Sequence, residues 1–182
     1  MDPVVDATIR LAFALLLGLA AIGKARGFTE FRFIVADYRV VPASMAPAAA
    51  LALIAVEAFL AVMWVAGTTG AIVGVATACL LGFYGAAIAL NLLRGRVFIS
   101  CGCGFGRTGG AQLSWWLVAR NAALVVLAFA ASWLDAGARS MGLLDYFTVS
   151  MALAATVLLY AVFHQLLDNR ERAGHWTRGV RG

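Results

Sequence analysis

Residues 43–92 read ASMAPAAALALIAVEAFLAVMWVAGTTGAIVGVATACLLGFYGAAIALNL, and they decide the fold. Two apolar runs, 43–66 and 70–92, flank a three-residue link of Gly67, Thr68 and Thr69. Each run reaches the ~20 residues that carry a helix across the hydrocarbon core of a bilayer. No water is available there to satisfy a peptide group, so each run must be helical. The short link predicts a tight antiparallel hairpin.

The same pattern continues on both sides. Three further apolar segments, 7–23, 113–133 and 142–166, give five expected spans. The expected fold is therefore all-α: a single polytopic bundle of five transmembrane helices. Composition agrees. The chain has 182 residues, 63% of them hydrophobic and only 13% charged, with a mean hydropathy of +0.91. Soluble domains are nearer half apolar and a quarter charged. The first span is preceded by Asp2 and Asp6 rather than by a basic stretch. It reads as a retained helix and not as a signal peptide.

Between the first two spans, Phe28, Phe31, Ile34, Val35 and Tyr38 recur at helical spacing, with Glu30, Arg32, Asp37 and Arg39 largely opposite. This predicts a short amphipathic helix in the membrane interface, ended at Val41-Pro42 because a residue before proline avoids helical dihedrals. Within 70–92, Gly70, Gly74, Ala78 and Gly82 stand four apart. Small residues at that spacing let two membrane helices approach closely. Trp115, Trp116 and Trp133 sit where interfacial anchors are expected.

The net charge of +5 does not call for nucleic acid, because the basic residues cluster at span ends. One side of a five-span arrangement carries eleven of them, from Lys24 to Arg181. The other carries Arg10 and Arg139, and Arg120 falls inside the fourth span. The excess marks the cytoplasmic side. This predicts a periplasmic N-terminus and a cytoplasmic C-terminus.

Chemistry concentrates in few residues. Ser100-Cys101-Gly102-Cys103-Gly104-Phe105-Gly106 follows the third span. Two thiols one residue apart close only a small ring, which strains S–S geometry. A strained disulfide exchanges readily, and Arg94, Arg96 and Arg107 favour the reactive thiolate. Redox exchange is the favoured reading. A purely structural loop is the second reading, and a soft-metal site, which would need two more ligands, is the third, so no metal is assigned. The third cysteine, Cys79, reads as a small apolar core residue. Glu57 lies within the second span, where a carboxylate is costly and needs a partner or a task. Arg120, beside Asn121, is the candidate cation, and the pair could clamp helices or relay protons. His164, near the end of the fifth span, reads as a polar cap. No phosphate loop, dinucleotide fingerprint or His-rich metal motif is present.

An ordered set of residues carries a family resemblance: Lys24; Asp37-Tyr38-Arg39; Pro42; Glu57; Asn91-Leu92-Leu93-Arg94-Gly95-Arg96; Cys101-Gly102-Cys103-Gly104; Leu113-Ser114-Trp115; Arg120-Asn121. Over roughly residues 5–166 the chain resembles the MauE family of methylamine utilization membrane proteins. The resemblance implies an accessory role at the bacterial inner membrane, in maturation of the disulfide-rich, periplasmic methylamine dehydrogenase β (small) subunit. It implies a thioredoxin-like partner, MauD, and thiol–disulfide oxidoreductase chemistry rather than amine oxidation. It makes Cys101 and Cys103 the redox pair, with Glu57, Arg120 and Asn121 lining the bundle beside it. Distant similarity to DoxX-type and vitamin K epoxide reductase-like proteins implies that a membrane quinone could be the electron carrier. One tension follows. The charge count places the cysteine loop at the cytoplasmic edge, whereas the implied client folds in the periplasm.

Overall fold

The computed structural model describes residues 2–67, 71–96, 113–133 and 140–159. Its regular elements there are helical: α1 (Pro3–Arg26), α2 (Phe28–Asp37), a 3-10 turn (Ala43–Met45), α3 (Ala46–Val65), α4 (Ala71–Leu93), α5 (Trp115–Trp133) and α6 (Leu143–Leu159). Helices α1, α4 and α5, and α3 with its leading turn, are long and apolar enough to cross a membrane. Helix α6 is the described part of the fifth expected span. The all-α membrane bundle stands.

Helix α1 is longer than its apolar core. Asp2 accepts a hydrogen bond from the Val4 N–H at 2.8 Å, and Pro3 occupies the first helical position. Together they satisfy and pre-shape the first turn. Asp6 and Arg10 pair one turn apart. Helix α2 stops at Asp37, earlier than Pro42 predicted. The reason is Arg39, whose φ of 49° is left-handed and breaks the helical path before the proline is reached.

The helices pack as two antiparallel pairs. In the first, α1 lies against α3, with Gly18 facing Ala61 and the Phe13 and Trp64 rings stacked at a centroid distance of 5.1 Å. In the second, α4 lies against α5 along the small-residue ridge read in the sequence. A Cβ on Gly74 would overlap the Ser132 hydroxyl and lie 2.8 Å from the Ala128 carbonyl oxygen. Further along, Gly82 faces Val125 and Gly85 faces Asn121. Such contact is the main attraction available between apolar helices in lipid.

The expected α3–α4 hairpin is thus not the tightest pairing. These helices meet at two rungs. One is a hydrogen bond from Trp64 Nε1 to Thr77 Oγ1 at 3.0 Å. The other joins Glu57 to Tyr84. Cys79 is also placed differently from its expected core position: it is exposed on α4. Its neighbours Ala78 and Leu80 are buried, so the core-facing stripe passes on either side of it. Trp115, Trp116 and Trp133 are exposed at the two ends of α5, as anchors require.

Candidate functional site: a buried ion pair beside an apolar cavity

Lys24 lies in the last turn of α1 and turns inward rather than toward the membrane edge. Its ammonium pairs with Glu57 Oε1 on α3 and hydrogen-bonds Tyr84 Oη on α4 at 3.2 Å. Tyr84 in turn donates to the same Glu57 oxygen at 2.8 Å. Three helices are therefore tied at one point. The Lys24 and Glu57 side chains are only 7% and 1% exposed. The Lys24 Nζ also lies 5.3 Å from the Phe31 ring centroid and 4.6 Å from that of Tyr84, close enough for cation–π attraction.

The sequence marked Glu57 correctly as an intramembrane carboxylate, but its cation is Lys24 and not Arg120. Arg120 is half-buried on α5, and its Nε has no hydrogen-bond partner among the described residues. The adjoining Asn121 is buried and donates to its own Leu117 carbonyl at 2.8 Å. A Cβ on Gly85, next to Tyr84, would sit 3.4 Å from Asn121. Asn121 therefore stands beside the rung without joining its ion pair. Removing Lys24 from the charge count leaves ten basic residues against two, so the asymmetry survives.

Lys24 and Tyr84 were the functional candidates that sequence reasoning passed over. One signal was present: Lys24 is the chain's one lysine, the rest of its 14 lysine and arginine side chains being arginine. Tyr84, inside an apolar run, carried no comparable mark.

Beside the rung lies a cavity of about 280 Å³. Helix α2 forms one wall with Phe31, Ile34 and Val35, continued by its C-cap Tyr38; α3 contributes Ala52 and Val56, and α4 contributes Phe83, Tyr84 and Ile88. The expected apolar face of α2 exists, but it is turned onto α3 and this cavity. Asn91, buried on α4, secures the end of α2 by donating to the Tyr38 carbonyl at 3.2 Å. Lys24 and Tyr84 supply polar atoms to an otherwise largely apolar wall.

Cys101 and Cys103, and likewise His164, lie outside the described residues. Helix α4, which carries Tyr84 and Asn91, is the helix that precedes the two cysteines in the chain.

The family profile described as methylamine utilisation protein MauE matches residues 2–134. The chain is 38% identical over 158 residues to the methylamine utilization protein MauE of Methylorubrum extorquens, covering 87% of this chain and 84% of that one. It is 38% identical over 161 residues to MauE of Paracoccus denitrificans, covering 88% and 86%. The corresponding match to MauE of Paracoccus versutus is 36% over 159 residues, covering 87% and 85%. No solved structure matches the chain. A matched region that takes in the ion-pair residues, the cysteine loop and four membrane-length helices leaves one assignment: the chain belongs to the MauE family.

Proposed function

We propose that this chain is a bacterial inner-membrane helper that matures the methylamine dehydrogenase β subunit by thiol–disulfide exchange through Cys101 and Cys103. Family membership ties it to methylamine utilisation, and its apolar helices make it a multi-pass membrane protein. The observation that carries the finer reading is the Cys101-Gly102-Cys103 loop inside the matched region. In the exchange, a disulfide between Cys101 and Cys103 accepts two electrons and two protons from a dithiol of the thioredoxin-like MauD. The partner leaves as a disulfide, ready to oxidise the client. The reduced pair must then pass its electrons on. The charge asymmetry supports an N-terminus outside and a C-terminus inside; exchange with a partner of a periplasmic client then requires the cysteine loop to enter the bundle and be reached from the outer side.

Cys101→Ser/Cys103→Ser tests the reading. In cells that depend on this chain, the double variant should abolish mature β subunit and growth on methylamine, while the protein still inserts at normal abundance. Normal maturation in that variant would sink the thiol reading and leave the alternative, a non-redox membrane scaffold or transport helper in the same maturation pathway. Alkylation of intact cells with a membrane-impermeant reagent reports the side on which the thiols are reached.

A further inference from the structure

The cavity beside Lys24 has the chemistry of a site for a flat, neutral, carbonyl-bearing ring. An ammonium carries three N–H donors. Among the described residues, Glu57 and Tyr84 accept two of those of Lys24, which leaves one for a ligand in the cavity that Lys24 lines. The Glu57 carboxylate already neutralises the lysine charge. An anionic phosphate or fatty-acid carboxylate would therefore enter a site with no net charge to offset its own desolvation. A neutral acceptor meets no such penalty. The walls favour a ring, since Phe31, Phe83 and Tyr84 all line the space and aromatic faces stack on flat π-systems. At about 280 Å³ the space lies at the lower edge of the ~300–1,000 Å³ typical of ligand sites, enough for a head group without its tail. Val56 and Phe83 line the cavity and are also 44% and 47% exposed. The cavity thus opens sideways between two membrane-length helices, where an apolar tail would meet lipid.

We propose that this cavity binds the head group of a lipid-soluble quinone, with a ring carbonyl accepting the third N–H of Lys24 and the isoprenoid tail leaving past Val56 and Phe83. The binding rests on the geometry alone. Its use rests on the thiol reading above: the Cys101 and Cys103 thiols close to a disulfide and release two electrons and two protons, which convert the quinone to the quinol.

The test uses the full chain in lipid nanodiscs, photolabelled with an azido-benzoquinone and competed with decylubiquinone. Labelling should saturate, map to α2, α3 or α4, and be displaced by decylubiquinone. Lys24→Met combined with Glu57→Gln removes the ammonium donor without stranding a charge, and should weaken labelling about ten-fold or more, as loss of a hydrogen bond from a charged donor does. Ala52 lines the cavity yet is exposed. Ala52→Trp therefore fills the mouth without displacing a packed neighbour, and should abolish saturable labelling with the thermal midpoint unchanged. Wild-type labelling in both variants would overturn the proposal, as would label that fails to saturate or that palmitate displaces as well as decylubiquinone does. The Cys101→Ser/Cys103→Ser chain should label normally. Normal labelling with intact client maturation in that chain would remove the thiol reading and leave the quinone site standing.

Discussion

The two helix pairs solve the same problem by opposite means. Helices α4 and α5 are joined by absence: Gly74, Gly82 and Gly85 remove side chains so that backbones can touch. Helices α1 and α3 are joined partly by presence, through the Phe13–Trp64 ring stack and the Lys24–Glu57 ion pair. In lipid both devices work, because an apolar side chain gains nothing by leaving apolar surroundings. They differ in what they leave behind. A small-residue ridge closes the space between helices. The larger groups of the other pair, with α2 leaning on α3, leave a cavity between α2, α3 and the outer face of α4, with Lys24 of α1 at its polar end. The first region is scaffold, and the second has room for a ligand.

The sharpest way to break this contrast is at the ion pair. Glu57→Ala leaves Lys24 buried without its counter-charge and should cost about 3–5 kcal/mol, the usual penalty for breaking a buried pair from one side. Reversible unfolding in mixed micelles checks this. If the variant loses less than about 1 kcal/mol, the pair is not buried as described. On the opposite pair, Gly74→Ala places a methyl group against the Ser132 hydroxyl and the Ala128 carbonyl. A cost of about 1–3 kcal/mol is expected from overpacking, with α5 forced outward. An unchanged midpoint would show that the α4–α5 contact is looser than the ridge requires.

Much of this architecture was legible in the sequence, for a physical reason. Bilayer thickness sets the length of an apolar helix, so the runs at 43–66 and 70–92 became α3 and α4 nearly residue for residue. The glycine spacing in α4 likewise reported its tight partner face, though not which helix would fill it. Glu57 stood out because a carboxylate inside a span needs compensation. Its partner was not legible. Lys24 lies 33 positions away, at a span end where a lysine ordinarily reaches out to water, and only the packing of α1 on α3 turns it inward. The exposed side of Cys79 was equally hidden, because which stripe of a uniformly apolar helix meets protein and which meets lipid leaves little trace in composition. The short link misled for a related reason: chain connectivity forces α3 and α4 to be neighbours but does not make them each other's closest partners.

The smallest expected effect lies at the joint between the pairs. Trp64 donates to Thr77 Oγ1, and the same hydroxyl donates to the Val73 carbonyl at 2.8 Å. The two ends of this bond are therefore not equivalent. Trp64→Phe removes the indole N–H but keeps a ring against Phe13, and Thr77 keeps its own bond to Val73. The loss should be near the ~0.6 kcal/mol average for interhelical hydrogen bonds in a membrane, plus a small packing term. Thr77→Val keeps nearly the same shape but strands the Trp64 N–H in a position only 3% exposed. A stranded buried donor costs about 1–3 kcal/mol. The conservative change on α4 should thus be the more damaging, and combining the two should recover stability relative to Thr77→Val alone, because the phenyl ring has no donor to strand. Unfolding of the three variants in the same micelles decides it. If Trp64→Phe is the worse single change, ring packing rather than the hydrogen bond joins the two halves at this rung, and the first helix pair must reach further into the second than the contrast between them allows.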